Sequence, residues 1–205
     1  MRNDEIKTIV AEGYDRVADD YFGRFGQSCV RDAKLAELLD KLPARATVLD
    51  LGCGAGEPVA REFVAHGFQA TGVDISLGQI MRARRNVPEA HFVHADMMAV
   101  QFPAQAFDAV SAFYSITHVP RNEHEALIRR VETWLRPNGL FVASFGSSAG
   151  DWLGEWLGTP MFFSHLDPNE TKRLVNDAGL RLERTELLKQ DNEETTFFWI
   201  AARKP

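Results

Sequence analysis

Residues 47–56 read Thr-Val-Leu-Asp-Leu-Gly-Cys-Gly-Ala-Gly, and no other stretch of this chain restricts its fold so tightly. Thr47 to Leu51 is a short, β-prone, apolar run. A strand that is apolar on both faces belongs in a parallel sheet with helices above and below it. The glycines that follow let the backbone turn sharply and come close to a ligand. Glu57 to His66 then reads as a helix, with Pro58 in the first turn where its missing N–H is harmless, and Gly67 ends it. Strand, glycine loop and helix in that order put a ligand site at the carboxyl end of the sheet.

The rest of the chain repeats the unit. Gln69 to Ile75 is a second strand, and Ser76-Leu77-Gly78-Gln79 reads as a capping box opening a helix to about Asn86. His91 to Ala95 and Phe107 to Ile116 read as strands, Asn122 to Leu135 as a helix, and Leu140 to Phe145 as another strand after Pro137-Asn138-Gly139. Asp167-Pro168-Asn169-Glu170 caps a helix closed by Gly179. Two strands follow at about 181–188 and 195–203, with no helix between them. Alternation of this kind predicts an α/β, Rossmann-like, doubly wound sheet of seven strands, mainly parallel, with one antiparallel strand at an edge. Ahead of it, Ile6, Val10, Tyr14, Val17 and Tyr21 line one face of a helix over 3–22, and a second helix spans 31–42. Residues 1–205 are expected to form one domain, with a helical cover over 1–44. Residues 146–166 break the rhythm, and a connection this long more often shapes a site than lies slack.

Composition narrows the partners. Formal net charge is −6, with Lys and Arg scattered, whereas nucleic-acid binders carry a basic patch. Arg82-Ala83-Arg84-Arg85 suits the last turn of a helix, where cations complement the macrodipole. No apolar run reaches the ~20 residues needed to cross a bilayer, and the acidic start lacks the apolar segment of a secretory signal. Cys29 and Cys53 form neither a disulfide framework nor a zinc spacing. The expectation is a cytoplasmic chain, monomer or homodimer, with a small-molecule substrate, no metal, no nucleic acid and no membrane.

Three acids indicate the ligand. Asp50 ends the first strand, Asp74 the second, and Asp96 follows the third. An acid about 20 residues beyond a glycine loop accepts hydrogen bonds from ribose hydroxyls, and Asp74 is so placed. The loop reads GxGxG rather than GxGxxG. Asp50 beside it would repel an anion and welcome an ammonium or a sulfonium, and Asp96 is placed to accept from an adenine amino group. Together these acids favour a cationic adenosyl ligand over a dinucleotide.

The same residues give the chain a resemblance to the class I S-adenosylmethionine-dependent methyltransferases, particularly the bacterial small-molecule type. Val48 to Gly56 looks like their first motif and Gly72-Val73-Asp74-Ile75-Ser76 like the second. Ala95-Asp96-Met97, Phe107-Asp108-Ala109-Val110 and Pro137-Asn138-Gly139-Leu140 continue the series. Tyr14-Asp15-Arg16-Val17-Ala18 with Tyr21 is similar to the family's lid helix. The resemblance covers nearly the whole chain. It implies S-adenosylmethionine as cofactor, leaving as S-adenosylhomocysteine. Asp50, Gly52, Gly54 and Gly56 would meet the methionine part, with Cys53 among them. Asp74 with Ile75 would hold the ribose, and Asp96 with Met97 the adenine. Tyr14, Tyr21 and Phe113 would complete the cofactor site, the tyrosine faces also favouring a sulfonium; core packing explains the tyrosines equally well.

Methyl transfer needs a general base only where the acceptor must lose a proton, and histidine is the usual choice. His118, at the rim beyond the fourth strand, and His165, in the inserted segment, are the candidates. His66, His91, His94 and His124 fall away from the strand ends. Trp152, Trp156, Met161, Phe162 and Phe163 crowd the inserted segment. They predict either an apolar acceptor pocket, lined by Tyr114, Trp152, Trp156 and Phe162, or a plug over the sheet. No Asn-Pro-Pro-Tyr segment, no Pro-Cys nucleophile and no acidic magnesium cluster marks the amino-methylating, pyrimidine-C5 or catechol types. Two alternatives stand beside a methyltransferase acting on a small, apolar or aromatic acceptor. One is an NAD-dependent oxidoreductase, for which no Tyr has a lysine four residues on. The other is a non-catalytic module that keeps the adenosyl site. Fold alone separates none of these.

Overall fold

The apolar run 47–51 forms β1 (Thr47–Leu51), the middle of a seven-stranded sheet in the computed structural model. The structure describes residues 1–191 and 194–205, with residues 19, 20 and 22 described by backbone alone. Strand order is β3-β2-β1-β4-β5-β9-β8. β2 (Gln69–Asp74), β3 (His91–His94), β4 (Phe107–Ala112) and β5 (Leu135–Gly146) run parallel to β1. β9 (Thr196–Arg203) lies antiparallel to both β5 and β8 (Arg181–Lys189). The expected antiparallel strand is therefore present, one place in from the edge. The β8–β9 hairpin sends the last strand back between β5 and the outermost β8.

Side chains alternate across β1 and bury on both faces, as a doubly wound sheet requires. Leu49 and Leu51 join a core with Leu127, Ile128 and Val131 of α5 (His124–Trp134) and with Leu174 and Val175 of α6 (Pro168–Asp177). Val48 faces the other way, onto Leu35 and Leu38 of α2 (Cys29–Leu39) and Val59 and Phe63 of α3 (Val59–Ala65). Asp50 shares that second face. A third cluster joins Ile80 and Ala83 of α4 (Leu77–Asn86) to Ala60, Cys53 and Phe92. Capping follows the sequence: Ser76 accepts the Gln79 N–H, and Asp167 accepts those of Asn169 and Glu170. A cap of this kind contributes about 1 kcal/mol.

Two segments depart from expectation. The fourth strand stops at Ala112 rather than Ile116. Tyr114 takes φ +56°, which ends the strand, and a 3₁₀ turn, Ile116–His118, follows. The inserted residues form a hairpin of β6 (Gly150–Trp156) and β7 (Thr159–His165), which pair as a separate two-stranded sheet. β7 packs against α1 (Asn3–Phe25), where Ile6 and Val10 meet Met161 and Phe162. No described helix is long and apolar enough to cross a membrane.

Candidate active site

The glycine loop is held open by backbone geometry. Gly52 (φ +75°) and Gly54 (φ +52°) lie where side chains are strained, and a Cβ on Gly52 would stand 2.2 Å from Ser115 Cβ. The Gly52 and Cys53 N–H groups both donate to the Val73 carbonyl, at 2.7 and 3.0 Å, tying the loop to β2. Gly56 instead packs away from the cavity, its missing Cβ leaving room for Phe92 and Val87.

Asp74 is fixed by the same loop. Its Oδ2 accepts the Gly54 N–H at 2.8 Å and its Oδ1 the Ser76 N–H at 2.9 Å. A carboxylate oxygen accepts more than one hydrogen bond, so both retain capacity toward the cavity that Asp74 lines with Ile75, Asp96, Met97, Phe113 and Tyr14. Burial pushes the Asp74 carboxyl up, and the two N–H donors oppose it. This cavity, with its opening, takes in about 730 Å³ of space between protein atoms.

A second cavity continues behind Gly52 and Gly54, beneath Tyr21, and brings Asp50 and Arg31 to one space. Asp50 is 3% exposed, and Ser111 Oγ donates to it at 2.7 Å. Burial, reinforced by Asp74, lifts its carboxyl to about 7. Arg31, also buried, is steadied by the Phe25 and Gly26 carbonyls at 3.1 and 2.8 Å and by the Asp32 carboxylate at 2.9 Å. A fixed guanidinium and a buried carboxyl on one cavity suit a zwitterion such as an amino acid.

α1 covers both cavities through polar and apolar pins. Lys7 Nζ lies 2.9 Å from Asp96 and 2.8 Å from Glu123. Asp15 accepts from Ser76 Oγ at 2.5 Å and from the Gly78 N–H at 2.9 Å, so the lid helix caps α4. Tyr14 Oη lies 2.8 Å from His118 Nε2.

Outside this layer lies a wider cleft that, with its mouth, takes in about 1350 Å³. Its walls are aromatic: Tyr14, Tyr21, Phe25, Tyr114, Trp152, Trp156, Phe163 and Phe197. Phe25 stacks on Trp156 at 5.8 Å, Tyr21 tilts against the same indole at 6.0 Å, and Phe163 meets it edge to face at 5.7 Å. Such pairs favour further flat rings. No cation is among the described residues that line the cleft.

The structure sorts the sequence candidates. His118 and His165 both reach the outer cleft. His118 sits between α1 and β7, its Nδ1 2.8 Å from the Phe162 carbonyl, and burial lowers it to about 4. His165 rests on Gly146, where a Cβ would stand 2.2 Å from its Cγ, and its buried Nδ1 lacks a hydrogen-bond partner. Burial lowers its pKa too, against Asp151. Tyr114, Trp152 and Trp156 line the cleft as expected, but Phe162 does not. Side chains alternate along β7, so Phe162 is buried beneath α1 and Phe163 takes the cleft position. Asp96 reaches the inner cavity, yet its Oδ1 accepts the Met98 N–H and its Oδ2 faces Lys7. His94 bonds the Ile75 carbonyl and His124 that of Val119, both structural. Lys7, Arg31, Gln79, Ser111 and Ser115 are site residues that the sequence does not single out for that role. Gln79 alone carried a signal, as the last residue of the capping box. No group of three His, Cys, Asp or Glu among the described residues could hold a metal ion.

Carboxylates at three successive strand ends, a glycine floor and a closing aromatic helix define an adenosyl-binding α/β enzyme site. Comparison with known proteins carries this further. Residues 23–185 match the family model described as "Methyltransferase domain". The chain belongs to this family, the class I S-adenosylmethionine-dependent methyltransferases, whose cofactor is S-adenosylmethionine. It is 33% identical over 152 residues to 27-O-demethylrifamycin SV methyltransferase of Amycolatopsis mediterranei (strain S699), covering 63% of this chain and 55% of that protein. It is 38% identical over 127 residues to trans-aconitate 2-methyltransferase of Paracidovorax citrulli (strain AAC00-1), covering 59% and 46%. The chain thus spans about half the length of these curated relatives. Its fold is similar to that of the Burkholderia thailandensis 1,6-didemethyltoxoflavin-N1-methyltransferase, crystallised with 1,6-didemethyltoxoflavin and S-adenosylhomocysteine. The TM-score is 0.78 at 20% identity, over 100% of this chain and 91% of that one.

Proposed function

We propose that this chain transfers a methyl group from S-adenosylmethionine to a flat, uncharged, aromatic small molecule. The observation that carries the acceptor class is the outer cleft, with its eight aromatic walls and no described cation. A carboxylate or phosphate acceptor would call for Arg or Lys. The matching of trans-aconitate 2-methyltransferase shows that the family also includes enzymes named for a carboxylate-bearing acceptor, so the cleft and not the family supports this choice.

When bound, the cofactor supplies an electrophilic methyl on a sulfonium. The described residues fit it. Asp74 would hold the ribose hydroxyls, and Asp96 with the Met97 backbone the adenine. Asp50 and Arg31 would take the ammonium and carboxylate of the methionine part, against Gly52 and Gly54. Residues 1–44 act as a cover, and Tyr14 and Tyr21 exclude water between the two cavities. Trp156 and Phe163 orient the acceptor ring, with His165 beside it. Holding the reacting atoms in line is the chain's main contribution, worth up to about 7–11 kcal/mol in well-oriented systems.

Calorimetric titration with S-adenosylmethionine and, separately, NADH tests the reading. Micromolar binding of the adenosyl ligand, weakened at least tenfold in Asp74→Ala, supports it, and an acceptor screen of hydroxylated and aminated aromatic rings then follows. Binding of NADH instead would transfer the site to oxidoreductase chemistry. Binding of S-adenosylmethionine without turnover on any acceptor would favour a ligand-sensing module.

A further inference from the structure

Tyr14 belongs to the lid, and the hydrogen bond of its hydroxyl is to a histidine. Hydrogen-bond bookkeeping fixes the direction of that contact. The Phe162 carbonyl can only accept, so the His118 Nδ1 2.8 Å from it carries the ring proton. In a neutral imidazole the other nitrogen is then an acceptor, and the Tyr14 hydroxyl at 2.8 Å must donate to Nε2. Burial keeps the ring neutral, lowering it to about 4, with His165 adding to the effect. The Tyr14 oxygen is left with its lone pairs free. Tyr14 and His118 line both the inner cavity and the outer cleft, so they stand on the wall between cofactor and acceptor.

We propose that Tyr14 and His118 form a proton relay, Tyr14 being the catalytic residue that touches the acceptor. The inference rests on the methyltransferase reading above and extends it to acceptors that lose a proton from O–H or N–H. In the transferring step the S–CH₃ bond breaks, its electron pair staying on sulfur, as the new O–CH₃ or N–CH₃ bond forms. Tyr14 takes the acceptor's proton and passes its own to His118 Nε2. His118 ends as an imidazolium, with Nδ1–H still on the Phe162 carbonyl.

Charge accounts for a feature that would otherwise argue against His118 as a base. A buried imidazole resists protonation in isolation. Here one positive charge leaves sulfur as another arrives on the ring, so the buried site holds a single cation throughout. Tyr14 itself does not ionise. Burial drives its pKa well above the ordinary value, and Tyr21 and Asp74 push the same way. It shuttles and does not store the proton. The nearby carboxylate Asp151 acts on His165, which in turn acts on His118.

The relay is tested first without any acceptor. Nitrogen-15 NMR of histidine-labelled protein should show His118 as the neutral Nδ1–H tautomer down to below pH 5. In Tyr14→Phe its Nε2 resonance should shift as the hydrogen bond disappears, while the Nδ1–H stays. An Nε2–H tautomer, or a charged ring at pH 7, overturns the relay. Kinetics supply the second arm, with phenol, 4-methylphenol and 4-nitrophenol as probes and S-adenosylmethionine binding measured on each variant. Tyr14→Phe should slow single-turnover methylation of phenol by about 10²-fold, move cofactor affinity by less than about threefold, and slow the partly ionised 4-nitrophenol far less. Loss of cofactor affinity with no change in the single-turnover rate would make Tyr14 a cover only and overturn the relay. Failure of the wild type to bind S-adenosylmethionine would instead remove the reading beneath it, and the NMR result would show which of the two had failed.

Discussion

The two halves of the site are built from different materials. The inner half, proposed for the cofactor, is made of backbone and short carboxylates at or just past the ends of β1, β2 and β3, and its loop is pinned by its own N–H groups, which donate to the Val73 carbonyl and the Asp74 carboxylate. The outer half, proposed for the acceptor, is made of long side chains from α1, β6, β7 and the turn after β4, whose rings pack against one another. Backbone construction tolerates almost no substitution and serves one ligand. Side-chain construction can be repacked, which suits a family whose members share a methyl donor and differ in acceptor. The contrast therefore predicts that substitutions in the first half abolish binding, and that those in the second half retune it.

Gly52→Ala should show the largest effect on cofactor affinity. A side chain at φ +75° placed 2.2 Å from Ser115 Cβ forces the loop or the turn after β4 to move. Strain of ~2–3 kcal/mol or more corresponds to at least about a 30-fold loss of S-adenosylmethionine affinity by calorimetry. A near-normal affinity would break the claim that the loop is rigid. His118→Asn belongs to the second half and should leave affinity intact while turnover on a proton-losing acceptor falls about 10²-fold.

Asp50 gives a pH signature. Its carboxyl is lifted to about 7 by burial, above the value it has in the unfolded chain. Stability of the unliganded protein is then greatest at low pH with respect to this group, and falls as pH rises from about 4 through 7. A cation bound beside it favours the ionised form, so cofactor affinity should rise about tenfold between pH 5.5 and 7. Calorimetry across that range checks it, and Asp50→Asn should flatten the slope. Trp156→Ala should raise the acceptor KM by about three- to tenfold, in line with ~0.5–1.5 kcal/mol for an aromatic pair, and leave cofactor affinity unchanged. The smallest effect falls to Lys7→Met. Its ion pairs with Asp96 and Glu123 are partly exposed, so S-adenosylmethionine affinity should change less than about threefold and its dependence on salt should weaken.

The same division explains what could be read from the residues alone. The glycine loop, Asp74 and the alternation of strands and helices follow from local pattern, because an αL glycine and a strand-end acid carry their meaning within a few positions. Phe162 was assigned to the cleft in place of Phe163 because pocket lining depends on strand phase, which a run of apolar residues does not display. Arg31 lies outside every motif and comes to line one cavity with Asp50 only through the packing of α2 on the sheet. The hairpin of 150–165 was legible as an insertion, but its partner α1 is over a hundred residues away in sequence. Lys7 facing Asp96 is a lid contact of the same kind.

The lid has a consequence for the sequence of events in a catalytic cycle. α1 is fastened at Lys7, at Tyr14 and at Asp15, along much of its length over the inner cavity. The outer cleft shares Tyr14, Tyr21, Tyr114 and His118 with that cavity and lies in front of it. A molecule already seated in the cleft would stand in the path of one entering behind it. Turnover should accordingly be ordered, with the methyl donor first on and its spent form last off. S-adenosylhomocysteine would compete with the donor alone, and in the steady state the enzyme would respond to the ratio of the two more than to the level of either.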